Sequence, residues 1–170
     1  MKPRSASETC IHMTHQALPQ DANPAGNLHG GVILKHVDTA GAVVCKRHSR
    51  GNVVTASIDR MDFLRPAYVG DLIHFKASLN YVGSSSMEAG VRVEAENLFT
   101  GEIRHTNTAY LTFVALDGDG KPRKVPGLIL EDDTARRRWK EAEQRRAARM
   151  AARKAEGPSN REAPKNSEDK

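Results

Sequence analysis

Cysteine is nearly absent: Cys10 and Cys45 are the only two in 170 residues. They are too few for a disulfide framework and lack the spacing of a zinc site, so reduced thiols are expected. Long apolar runs are missing as well. None approaches the roughly 18 residues of a membrane span, so no membrane contact is expected. The basic start, Met1-Lys2-Pro3-Arg4, leads into no apolar h-region and argues against secretion. A cytoplasmic protein is the expectation. Apolar residues make up 38% of the chain, with a mean hydropathy of -0.59. They are frequent over 9–130 and almost vanish over 131–170, beyond Trp139 and Met150. The core must therefore come from the first part, as one domain with an appendage.

The formal net charge of +5 is compatible with acidic partners without requiring them. Much of the excess lies in the tail, where Arg136 to Arg138, Arg145, Arg146, Arg149 and Arg153 alternate with Glu141, Glu143 and Glu156. Mixed signs point to a solvated helix, and contact with nucleic acid is not expected.

Cys10 to Leu18 carries a weak strand pattern that stops at Pro19, and 19–28 is turn-rich. From His29 the period changes. Val32, Leu34, Val37, Ala40, Gly41, Val44 and Cys45 give the broad apolar surface of a buried helix ending near His48 to Gly51. Four strand patterns follow: Val53–Phe63, Leu72–Val82, Met87–Asn97 and Ile103–Leu116, separated by Gly-rich turns. One early helix followed by an antiparallel meander is an α+β arrangement, a helix wrapped by a curved sheet. Asp132-Asp133-Thr134 then caps a charged helix over about 131–156, and 157–170 reads as disordered.

The segment Asn23-Pro-Ala-Gly-Asn-Leu-His-Gly-Gly-Val-Ile-Leu-Lys-His-Val-Asp38 joins a polar loop to the start of the helix. Asp38 shares a helix face with Leu34 and Ala42, a small and apolar setting. A carboxylate there is costly unless paired or used. The turn before it offers backbone N–H donors, and acyl-transfer sites are built from such pairings.

With Val37-Asp-Thr-Ala-Gly-Ala, Val54-Thr-Ala-Ser-Ile-Asp-Arg-Met-Asp-Phe-Leu-Arg-Pro, Val69-Gly-Asp, Val82-Gly-Ser-Ser-Ser-Met and Asp119-Gly-Lys-Pro-Arg-Lys-Val-Pro, this segment forms an ordered set. The set resembles the hotdog-fold acyl-CoA thioesterases, in particular the short bacterial acyl-CoA hydrolases related to the mammalian brain-type enzymes. The resemblance spans Ser7 to Pro126 and leaves the tail outside it. It implies a homodimer with a continuous sheet, assembling further into a hexamer. It also implies a site at the subunit interface, whose essential Asn and Asp fall on Asn23 and Asp38 from opposite subunits. The loop Ser84-Ser85-Ser86 would lie along the pantetheine arm. On charge alone, apart from the resemblance, Arg60, Arg65 and Lys124 are candidates to meet the nucleotide phosphates.

Thioester hydrolysis needs a base for water and donors for the oxyanion. Asp38 is the candidate base, or a nucleophile forming an anhydride. Desolvation is expected to raise its pKa. The N–H groups of Gly30 and Gly31 are candidate oxyanion donors, and Asn23 can orient water or carbonyl. His29 reads as a capping or positioning residue. His12 and His15, at i and i+3 on a strand, face opposite sides, so no metal is expected. Coenzyme A enters only as part of the substrate, with no separate cofactor. Ser84 to Ser86 have no His–Asp partner for nucleophilic catalysis. Two rivals stand beside hydrolysis: a hotdog dehydratase, which relies on a catalytic His, and a non-catalytic acyl-CoA sensor.

Overall fold

The computed structural model describes residues 1–155, so the reading of 157–170 as disordered lies outside the described residues. Ten short elements occur in the order β1 (Arg4–Ser5), β2 (Ile11–Gln16), a 3-10 turn (Pro19–Asp21), α1 (Gly30–Ser49), β3 (Val53–Ile58), β4 (Leu72–Val82), β5 (Ser86–Glu96), β6 (Ile103–Ala115), β7 (Leu128–Ile129) and α2 (Asp133–Ala155).

Helix α1 starts where the His29 side chain accepts a hydrogen bond from the Gly31 N–H. It stops at Arg50, a left-handed residue (φ 52°) whose N–H reaches the Lys46 carbonyl. The last turn carries Lys46, Arg47 and His48, matching the negative end of the helix dipole. Arg4 adds a cap from outside, donating to the carbonyls of Arg47 and His48. The buried face consists of Ile33, Val37, Ala40, Gly41, Val44, Cys45, His48 and Ser49. Gly41 is required there, because a Cβ would stand 2.8 Å from the ring of Phe113.

That face packs on a five-stranded antiparallel sheet of order β2-β4-β5-β6-β3. The core includes Ile73, Phe75, Met87, Val91, Leu111 and Phe113. The α+β reading holds. Two expectations need correction. The strand pattern over Val53–Phe63 ends at Ile58: the ladder with β6 resumes after a bulge between Thr55 and Ser57 and then gives way to single backbone bonds, from Asp59 to Tyr110 and from Leu64 to Thr106. Ser86, read as part of a loop, opens β5. The short parallel pair of β1 with β7 was not foreseen.

Helix α2 is no solvated appendage. Ala142 is fully buried, and Trp139 stacks on Tyr81 at 4.5 Å between ring centroids. The Arg145 guanidinium lies 3.6 Å from the centroid of Tyr110. Arg145 and Arg149 both bind the buried Glu88 of β5, at 2.7 and 3.0 Å. Arg149 also holds Asp59 at 2.6 Å. Register places Glu88 opposite Thr112 and Tyr81, so α2 covers the sheet face turned away from α1.

Candidate active site

The loop before α1 is built by its own side chains. Asp21 accepts from the Leu18 N–H at 3.0 Å and meets His15 Nε2 at 2.8 Å. These bonds, the backbone one foremost, hold its carboxyl below the usual carboxylate range. The Asn23 Oδ1 accepts from the backbone N–H of Ala25 (2.9 Å) and Asn27 (3.2 Å). The acceptor end of Asn23 is thus taken by the turn, and its Nδ2 amide remains as the group it can offer.

The first-turn donors of α1 can be accounted for one by one. Gly31 N–H goes to His29 Nδ1 at 2.9 Å, which fixes that nitrogen as an acceptor and leaves the proton of a neutral ring on Nε2. Val32 and Ile33 point back at the His29 carbonyl. Gly30 N–H alone has no protein partner among the described residues. The pair of glycines expected to donate together is therefore reduced to one, because the histidine cap engages Gly31. Gly30 also lines a cavity of about 370 Å³ with Asn23, Ile33, Phe63 and Arg65. Phe63 roofs the helix start, since a Cβ on Gly30 would stand 3.2 Å from its ring.

Asp38 lies eight residues beyond Gly30, about 12 Å along the helix axis. It does not line that cavity. It is half-buried, as are Leu34 and Ala42 on the same face. The hydroxyl of Thr55, on the edge strand β3, donates to Asp38 Oδ1 at 2.6 Å. Sequence reasoning missed Thr55, which carries no mark within a β-branched strand; only the helix–strand packing singles it out. Within one chain, then, Asn23 and Gly30 sit at one end of α1, and Asp38 with Thr55 sits two turns away.

The remaining sequence candidates scatter. Arg60 is exposed and bonded to Asp62 at 2.9 Å, and Lys124 is exposed. The carbonyls of Ser84 and Ser85 accept from the N–H groups of Val125 and Ala115, so this loop is tied to the chain after β6. His12 meets His74 at 2.8 Å, and His74 meets Glu96 at 2.7 Å. Among the described residues, no cluster of three metal-ligating side chains occurs.

Comparison with known proteins identifies the family. Residues 25–99 match the model of the Thioesterase superfamily. An uncharacterized acyl-CoA thioester hydrolase of Bacillus subtilis is 38% identical over 130 residues, 76% of each chain. The chain belongs to the acyl-CoA thioester hydrolases of the thioesterase superfamily. Among solved structures, the acyl-CoA hydrolase of Staphylococcus aureus in complex with butyryl coenzyme A, coenzyme A and coenzyme A disulfide is 37% identical. It has a TM-score of 0.84, covering 90% of this chain and 93% of that one. Three further structures of that hydrolase carry single alanine substitutions of an asparagine, an aspartate and a threonine. Their sequence intervals equal those separating Asn23, Asp38 and Thr55 here. An apo-hexameric acyl-CoA thioesterase is 34% identical with a TM-score of 0.86, covering 89% of this chain and 97% of that one. This hydrolase thus has the hotdog fold.

Proposed function

We propose that the protein is a cytoplasmic enzyme that hydrolyses fatty acyl-CoA to free acid and coenzyme A. Its site is completed across the interface of a homodimer, itself part of a hexamer. The observation that carries this reading is the split of one constellation along α1. The donors, Asn23 Nδ2 and Gly30 N–H, line the cavity, while the carboxylate of Asp38 stands two turns away beside the open edge strand β3. Pairing two chains edge to edge offers one chain's carboxylate to the other's donors.

In such a site Thr55 fixes one oxygen of Asp38, and the other takes a proton from water. The water oxygen bonds to the thioester carbonyl carbon. The developing oxyanion is held by Gly30 N–H and Asn23 Nδ2. Collapse breaks the carbon–sulfur bond, and the proton on Asp38 passes to the departing thiolate. Every step uses groups of this chain, with coenzyme A present only as part of the substrate. His29, as the cap, positions Gly30 rather than touching the substrate.

Release of coenzyme A thiol from saturated acyl-CoAs of two to eighteen carbons tests the proposal, with Asp38→Ala and Asn23→Ala alongside. A maximum at a fatty chain length, lost in both variants, is the expected result. Acyl-CoA binding with no turnover would make the protein a sensor instead.

A further inference from the structure

The outer face of the sheet holds a second pocket, of about 210 Å³, between β3 and the last turns of α2. It originates in the β3 bulge. Thr55 pairs with Phe113, but Ser57 pairs with Thr112, so the extra residue reverses the alternation. Thr55 keeps the inner face and meets Asp38, while Ser57 turns outward into a row with Thr112, Glu88 and Tyr81. The hydroxyl oxygens of Ser57 and Thr112 are buried and have no hydrogen-bond partner among the described residues.

Helix α2 faces this floor with Arg146, Arg149 and Arg153 at i, i+3 and i+7. Arg149 is committed to Glu88 and Asp59. Arg146 has no carboxylate partner among the described residues and lies 5.7 Å from the ring of Tyr81. With Arg145 also on Glu88, four guanidinium groups surround two carboxylates, and the pocket is left with excess positive charge. Unpartnered buried hydroxyls beside uncompensated guanidinium groups fit a compact anion with several acceptor oxygens. The volume is below the ~300–1,000 Å³ of pockets for whole ligands, so the pocket suits one group of a larger molecule.

We infer that this pocket seats a phosphomonoester, with Arg146 as its main cation and Ser57 and Thr112 donating from the floor. Ser86, at the end of the Ser84–Ser85 loop, lines the same pocket. The group has two sources: the nucleotide end of the acyl-CoA substrate, an assignment that rests on the thioesterase reading, or a separate nucleotide. Calorimetric titration of the full chain with adenosine 3′,5′-bisphosphate reads the site without turnover. Arg146→Gln, checked for fold by circular dichroism, is expected to weaken binding about 10–100-fold, and Ser57→Ala combined with Thr112→Val to weaken it by about 10-fold. Equal binding by the wild type and all variants, or none by any, overturns the inference, whether or not the protein hydrolyses thioesters. A kinetic comparison of acyl-CoA with acyl-dephospho-CoA then separates the sources. If the substrate supplies the group, Arg146→Gln raises KM for acyl-CoA relative to acyl-dephospho-CoA by the same factor. If a separate nucleotide supplies it, the bisphosphate binds without competing with acyl-CoA.

Discussion

Two inactive variants should restore each other. Asn23→Ala removes an oxyanion donor, a loss of about 10²–10³ in turnover. Asp38→Ala removes the base, a loss of about 10²–10⁴. In one chain these groups are separated along α1 by about 12 Å, and only Asn23 lines the cavity beside Gly30. If each site takes Asn23 from one subunit and Asp38 from its partner, a mixed dimer holds one doubly damaged site and one intact site. Random pairing of equal amounts makes about half the dimers mixed, so about a quarter of all sites are intact. Co-expression under two affinity tags, followed by tandem purification to isolate mixed assemblies, provides the sample, and thiol release from an acyl-CoA provides the assay. Recovery from below one per cent to tens of per cent of wild-type activity is far outside error. Tandem-purified mixed assemblies no faster than either parent would refute the shared site, because both groups would then have to come from one chain.

Thr55→Val deletes the hydroxyl that donates to Asp38 and is expected to lower kcat about 10–100-fold with little change in KM, measured by steady-state kinetics. An unchanged kcat would show that the bond plays no part in turnover. Gly41→Ala gains about 0.5–1 kcal/mol of helix preference. It also drives a methyl group against the buried Phe113 ring, at a cost of about 1–3 kcal/mol. Net loss in urea unfolding is expected, and a stabilised variant would contradict the packing. Glu88→Ala leaves Arg145 and Arg149 without their shared carboxylate. The loss should fall near the lower end of about 3–5 kcal/mol, since both guanidinium groups keep some water. Limited proteolysis should then cut within α2 first. Burial foremost holds His48, His36 and His12 below the usual imidazole value of 6.5. The unfolded chain therefore binds more protons in mild acid, and stability present above 6.5 is lost as pH falls through the lowered folded values. Hydrogen bonds from Lys76 and Arg92 bring Glu94 down to about 2 from 4.5, so its contribution persists until far more acidic pH. Tm should decline from about pH 7.5 to about pH 5, and a flat profile would exclude the histidine contribution.

What the sequence revealed follows from what periodicity can report. The apolar spacing from His29 onward marked α1 because one face meets a core, and the turn-bounded runs marked β4 to β6 for the same reason. The docking of α2 was hidden, because it relies on Arg145 over Tyr110, Trp139 against Tyr81 and two arginines on Glu88. None of these pairs forms an apolar stripe. The end of β3 at Ile58 was equally hidden: Met61, Phe63 and Leu64 continue the pattern in composition, and only the pairing with β6 shows where the regular ladder stops. In the site, the loop asparagine and the helical aspartate stood out against their surroundings. The fate of each first-turn N–H depended on where the His29 ring settled, which spacing does not encode.

The β3 bulge also has an evolutionary consequence. Ala56 is the extra residue, and its in-frame loss would make Thr55 and Ser57 neighbours that still pair with Phe113 and Thr112 on opposite faces of the sheet. Loss of Val54 instead, with the ladder closing regularly, would set Ala56 opposite Phe113 and turn Thr55 to the outer face, away from Asp38. Lineages should therefore drop the extra residue at position 56 far more readily than any residue beside it.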